Sequence, residues 1–220
     1  MIELEKVTKI YSDAGRLIYA ANEIDLRIKK GDFISIVGPS GSGKTTLLSL
    51  IGCLIKPSSG EVKIDGRNTT ELDDDQLSDL RARKIGFVFQ AAHVIPTLTL
   101  LENVMLPLIF IKEKDIENKR KRALASIGEL GLGDRINSFP RNMSGGQVKR
   151  IAIARALIND PQILLADEPT GDLDQESSGE IINILKRLNH DGITILLVTH
   201  NQELAQNAKT KFKMRAGKLG

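Results

Sequence analysis

Four short apolar runs punctuate the chain: FISIVG (33–38), IGFVFQ (85–90), QILLAD (162–167) and TILLVTH (194–200), each bounded by Gly, Pro or charged residues. Runs of this length without alternation are buried on both faces, which predicts a mainly parallel core sheet flanked by helices, an α/β fold. The first 30 residues differ. IELEKVTKIY (2–11) and ANEIDLRIKKGD (21–32) alternate apolar with polar positions, which predicts an N-terminal antiparallel β subdomain. Between Gln90 and Pro140 the strand signals stop, and Ala123, Ile127 and Leu130 fall on one helical face, so a helical subdomain is expected there. The basic run Lys119–Arg122 reads as its solvated face. Residues 72–84, LDDDQLSDLRARK, predict a helix with an acidic start and a cationic end, as the helix dipole favours. The expected organisation is one domain over 1–220, with a core from 1–90 and 160–220 and a helical lobe from 91–159.

Composition narrows the function classes. The 220 residues are 41% hydrophobic, enough for one substantial core. A formal net charge of +3 gives little support to a nucleic-acid surface, so no specific nucleic-acid partner is expected. The single Cys53 excludes an internal disulfide, and its apolar neighbours make it a core thiol. The longest uncharged apolar stretches, Thr45–Ile55 and Asn103–Ile111, fall short of the roughly 20 residues that span a bilayer. MIELEKVTKIY lacks the basic start and apolar centre of a signal peptide, so a cytoplasmic location is expected.

The chemistry starts at GPSGSGKTT, residues 38–46, directly after FISIV and before an apolar helix. Gly38, Gly43, Lys44 and Thr45 fit G-x-x-x-x-G-K-[ST], in which glycines turn backbone N–H groups onto phosphate oxygens. The loop Gly38, Pro39, Ser40, Gly41, Ser42, Gly43, Lys44, Thr45, Thr46 is the expected triphosphate cradle, with Thr45 able to ligate Mg2+. ILLADEP ends in Asp167 and Glu168, adjacent carboxylates that are costly to bury without a cation. Alternation along extended chain sends them apart, Asp167 to the metal and Glu168 to an attacking water. Gln90 and His200 end two further core strands, where a capping role and a functional one are both open for a lone His.

A second glycine pair follows at NMSGGQVKRIAIARAL, residues 142–157. Ser144 and Gln147 have capping-box spacing, so this segment could simply start a helix. Gly145 and Gly146 each lower helix propensity by nearly 1 kcal/mol, which an approaching anion would explain. With no second Lys inside it, this cradle suits a phosphate already held elsewhere.

Taken in order, GPSGSGKTT, VFQ, MSGGQ, ILLADEPTGDLD and VTH resemble the Walker A, Q-loop, signature, Walker B with D-loop, and switch motifs of ABC transporter ATP-binding subunits, over nearly the whole chain. That resemblance implies a P-loop NTPase fold, ATP and Mg2+ as ligands, and a head-to-tail homodimer in which each signature binds ATP seated on the other copy's Walker A. It implies catalytic roles for Glu168, His200, Gln90 and Lys44, metal contacts from Thr45, Gln90 and Asp167, and adenine stacking by Tyr11. Ser144, Gly145, Gly146 and Gln147 would complete the opposing site, and Asp174 of the D-loop would join the nucleotide-binding residues. An integral-membrane subunit would dock near residues 91–110, placing the chain on the cytoplasmic face of the membrane; His93 reads there as an interface residue. IPTLTLLENVMLP with DEPTGDLD resembles the branch that drives lipoprotein release and macrolide export. Met143 stands where Leu is usual, and Asp172 where that branch often has Asn. Two other functions remain open: a DNA-repair-type ATPase, disfavoured by the lack of sustained heptads, and a nucleotide-gated regulator of a membrane receptor.

Overall fold

The computed structural model describes residues 1–110 and 116–220, less the side chains of Ile116 and Lys119; the first member of the basic run 119–122 and the last of the stretch 103–111 therefore lie outside the described residues. Strands β1 (Ile2–Asp13) and β2 (Arg16–Ile28) form the long hairpin that alternation predicts. β3 (Phe33–Val37) leads into α1 (Lys44–Ile51), after which β4 (Ser59–Ile64) and β5 (Arg67–Asn68) return to the hairpin. The antiparallel sheet runs β2-β1-β4-β5, so it includes residues 59–68 as well as the first 30. Its inner face is the reason: Ile2 pairs with Ile64 and Leu4 with Val62, and all four are buried.

Helix α2 (Asp74–Lys84) starts on a capping box of Asp73 and Gln76 and feeds β6 (Ile85–Val88). The helical region follows, with α3 (Leu100–Met105), α4 (Ile116–Glu129) and α5 (Gly145–Leu157). Ala123, Ile127 and Leu130 are buried, as their spacing predicts. Ahead of α3 the loop is pinned by buried Asn103, whose Nδ2 donates to the carbonyls of Ile95, Leu98 and Thr99 while its Oδ1 accepts from Ile95 N. Then come β7 (Ile163–Asp167), α6 (Gln175–His190), β8 (Thr194–Thr199), α7 (Gln202–Ala205), β9 (Thr210–Arg215) and β10 (Lys218–Leu219).

The larger sheet has the order β10-β9-β3-β8-β7-β6 and is parallel throughout except at edge strand β10. One apolar cluster fills the space between this sheet, α1, α2 and the antiparallel sheet; a second lies between its other face and α3–α6. Burying each Ile, Leu or Val in these clusters contributes about 1.5–3 kcal/mol. Parallel register places Val37 beside Thr199 and Asp167 beside Val198. The segments following β3, β6, β7 and β8 therefore open at one carboxyl edge, where α/β sheets bind ligands.

Candidate active site

The loop from Gly38 to Gly43 turns on two left-handed glycines, Gly41 (φ 74°) and Gly43 (φ 106°), and Gly43 precedes the first residue of α1. Gly43 also lacks room: a Cβ there would stand 2.0 Å from Ala20 O on β2 and 2.8 Å from Met214 Cε on β9. At Gly38 a Cβ would lie 2.2 Å from Met214 O. Both sheets thus clamp the loop, and Gly217 N donates to Ser42 O from the β9–β10 turn. Lys44 is buried, its Nζ donating to the carbonyls of Gly38 (2.8 Å) and Pro39 (3.0 Å), which holds the ammonium inside the loop.

Thr45 Oγ1 donates to Asp167 Oδ2 at 2.9 Å. Burial pushes the Asp167 carboxyl above its ordinary value, the Thr45 hydrogen bond partly opposing it and the neighbouring Glu168 charge adding to the rise. A carboxyl raised in the fold disfavours the ionised folded state above the unfolded pKa, and a bound cation would reverse that penalty. Thr45 and Asp167 together present the hydroxyl and single carboxylate that suit Mg2+ already carrying phosphate and water ligands. The residues fit the ion.

Glu168 does diverge from Asp167, but through a left-handed residue (φ 45°) rather than simple strand alternation. Its N–H still joins the sheet edge by donating to Val198 O at 2.9 Å. The carboxylate accepts from Thr199 Oγ1 on Oε2 and from His200 N on Oε1, each at 2.7 Å, and His200 Nδ1 lies 2.7 Å from Oε1. With Nδ1 given to Glu168, the other ring nitrogen of His200 points away from it. His200 is exposed and borders the cleft.

These groups line a cleft of about 1230 Å³ with Tyr11, Pro39, Ser40, Gly41, Gly43, Lys44, Thr45, Thr46, Gln90, Asp167, Glu168 and His200 on its walls. Gly38 and Ser42 stand behind the wall as supports; Ser42 Oγ is buried and lacks a hydrogen-bond partner among the described residues. Tyr11 faces the cleft from β1, and Lys9, which does not line it, sits 5.5 Å from the ring centroid. Sequence reasoning missed Arg16 and Tyr19 of the hairpin and the turn Ala216–Gly217, which also line the cleft. The turn signal of Gly217 is legible, yet nothing local ties that turn to a loop some 170 residues earlier.

None of Ser144, Gly145, Gly146 or Gln147 lines this cleft. The capping box is made: Ser144 Oγ accepts from Gln147 N, and Gln147 Oε1 accepts from Ser144 N. The two glycines part company. Gly145 is exposed, whereas Gly146 is buried, and a Cβ on it would stand 2.8 Å from Ser177 Oγ. Gly146 is therefore required by the approach of α6, while Gly145 is the exposed member of the pair. Ser177 in turn fixes Asp174: its N–H and hydroxyl both donate to that carboxylate, capping α6 and holding the Asp174 carboxyl below the usual range. Asp172 is exposed and left-handed (φ 65°), a conformation that Asp and Asn tolerate better than most residues. Of the segment 91–110, only Pro107 and Phe110 enter a second groove of about 410 Å³, shared with Leu54, Arg81, Phe87 and Arg155. His93 packs edge-on against Phe89, 5.6 Å between centroids, and its carbonyl accepts from Arg155.

Comparison with known proteins finds relatives of this sequence and fold. The model of the ABC transporter family matches residues 21–171. An uncharacterized ABC transporter ATP-binding protein of Methanocaldococcus jannaschii, MJ0796, is 49% identical over all of this chain and 95% of its own length. The macrolide export ATP-binding/permease protein MacB of Hyphomonas neptunium is 42% identical over the whole chain, which spans 34% of that larger protein. Among solved structures, a dimeric structure of MJ0796 superposes with a TM-score of 0.91 over 99% of this chain and 95% of that one. A dimeric post-hydrolysis state of MJ0796 bound to ADP and Pi superposes with a TM-score of 0.92 at 47% identity, covering 100% and 98%.

Proposed function

Because the chain belongs to the ABC transporter family of ATP-binding proteins, we propose that two copies close head to tail over ATP and open after hydrolysis, driving a membrane subunit by that cycle. One observation carries this reading. The cleft holds a complete phosphate loop with its carboxylates, while exposed Ser144 and Gly145 lie outside it and face no group of their own site. A phosphate-binding helix start that serves no local ligand suits the nucleotide of a second copy, and the dimeric relatives support that arrangement.

The chain's residues divide the work. Lys44 and the N–H groups of the loop bind and orient the triphosphate, and Tyr11 provides an aromatic face for the base. Thr45 and Asp167, with Gln90 beside them, would hold Mg2+, which would supply charge neutralisation for the phosphates. Glu168 orients the attacking water and accepts its proton, while His200, braced on Glu168 Oε1, directs its other ring nitrogen at the γ-phosphate. Ser144 and Gly145 of the partner copy add donors where charge develops, so catalysis requires closure. The test is a short bis-maleimide applied to Ser40→Cys and Ser144→Cys proteins mixed in the Glu168→Gln background; buried Cys53 does not compete. Crosslinked pairs are expected with ATP and Mg2+ and not with ADP, and their absence under saturating ATP would defeat the reading.

The branch is the lipoprotein-release and macrolide-export type, a reading supported by MacB relatives at 42% and 44% identity. No helix among the described residues is long and apolar enough to cross a membrane; in this reading the chain works on the cytoplasmic side of a membrane-embedded translocating part. The groove beside Pro107 and Phe110 suits a short amphipathic helix of that subunit, with Leu54 and Phe110 offering exposed apolar surface. Phe110 is 70% exposed, so Phe110→Asp should leave folding intact. Purified from native membranes, wild type is expected to retain an integral-membrane protein that Phe110→Asp loses; equal retention would remove the groove from the docking surface.

A further inference from the structure

Lys149 lies on α5 five residues after Ser144 and is only 3% exposed. A buried ammonium must be compensated, and here Nζ donates to the carbonyls of Phe89 at 3.1 Å and Gln90 at 2.5 Å. Strand β6 has already ended at Val88, so no sheet ladder fixes these carbonyls and α5 sets the direction in which Gln90 enters the cleft. The Phe89 ring adds to that fixation by stacking on Phe87, with centroids 5.5 Å apart and planes 7° apart. On its far side Gln90 abuts the segment after Glu168: a Cβ on Gly171 would stand 3.3 Å from Gln90 Cγ. Asp172, next along, acts on the same cation. Burial lowers the Lys149 pKa and the Asp172 charge partly opposes that fall.

We propose that Lys149 is a positioning residue for ATP hydrolysis: its ammonium fastens Gln90 at one site to the helix whose first turn serves the partner's site. The inference rests on the two-copy reading above and adds a physical link between the sites. Displacement of α5 by a nucleotide on the partner moves Gln90 with it, and an unclamped Gln90 leaves ATP bound but water and metal misplaced.

Lys149→Met removes both donors and keeps the aliphatic stem. The kcat of ATP hydrolysis is expected to fall about 10- to 100-fold. Lys149 does not line the cleft, so KM and the nucleotide affinity of the single subunit should change by less than about twofold. Lys149→Arg, which restores charged donors, should recover most of the kcat. Wild-type kcat in Lys149→Met, or loss of kcat matched by loss of nucleotide affinity, would overturn the proposal. Should that variant fail to accumulate, Lys149→Gln takes its place; its shorter neutral donor predicts an intermediate kcat at unchanged KM, and a wild-type value there refutes the clamp. Crosslinking from position 40 to 144 separates the two ideas. If it fails in the parent protein, the two-copy reading falls; if it forms in parent and variant alike while kcat drops only in the variant, the clamp stands.

Discussion

Glu168→Gln is expected to slow ATP turnover by about 10²- to 10⁴-fold, the range that a positioned general base supplies, with nucleotide binding retained and ATP-bound dimers accumulating. The geometry explains why the fold should tolerate the change. The carboxylate accepts from Thr199 Oγ1 on one oxygen and from His200 on the other. A Gln side chain keeps an acceptor for the His200 N–H and turns its amide towards Thr199, whose hydroxyl can accept as well as donate. What is lost is the proton acceptor. With hydrolysis blocked, the shared phosphate persists and the two copies stay closed. Phosphate-release kinetics and light scattering in ATP and Mg2+ read both effects. A variant that hydrolyses ATP at the parent rate would show that another group takes the proton.

Gly43→Ala is expected to destabilise the protein by about 3–5 kcal/mol, adding left-handed strain of about 1–3 kcal/mol to an overpacking cost of similar size. At this chain length that corresponds to a fall in melting temperature of about 10 °C, with loss of nucleotide binding because Ala20 and Met214 must move away from the loop. Gly41→Ala is the matched control. Its φ of 74° carries comparable strain, but a Cβ there meets nothing within 4 Å, so only the smaller backbone cost applies. Thermal unfolding of the two variants separates crowding from conformational strain. Equal losses would mean that the approach of the two sheets contributes nothing.

Much of this site is legible in the residues alone. GPSGSGKTT announces a phosphate loop because the glycines, lysine and hydroxyl act through spacings of a few residues, which the chain itself fixes. The same holds for the capping box of Ser144 and Gln147, for the buried face of α4, and for the four apolar runs that became β3, β6, β7 and β8. Strands β4, β5, β9 and β10 escaped because β5 and β10 are two residues long, while β4 and β9, six residues each and paired on both sides, mix polar with apolar positions and owe their pairing to partners distant in the chain.

Gly146 shows where local reasoning stops. Its place beside Gly145 suggests an anion for both, and nothing local announces that its bare Cα also makes room for Ser177 on another helix. Lys149 reads as one more cation on a surface helix, and only packing buries it against the carbonyls of Phe89 and Gln90, some 60 residues earlier. The sequence by itself determined the folding class, the phosphate chemistry and the identity of the acidic pair, since each depends on neighbours along the backbone. The tertiary structure decided what crowds each glycine, which carbonyls Lys149 holds and that the second cradle lies outside the cleft. Those relations depend on how helices and sheets pack, and packing geometry is a property of surfaces brought together from distant parts of the chain.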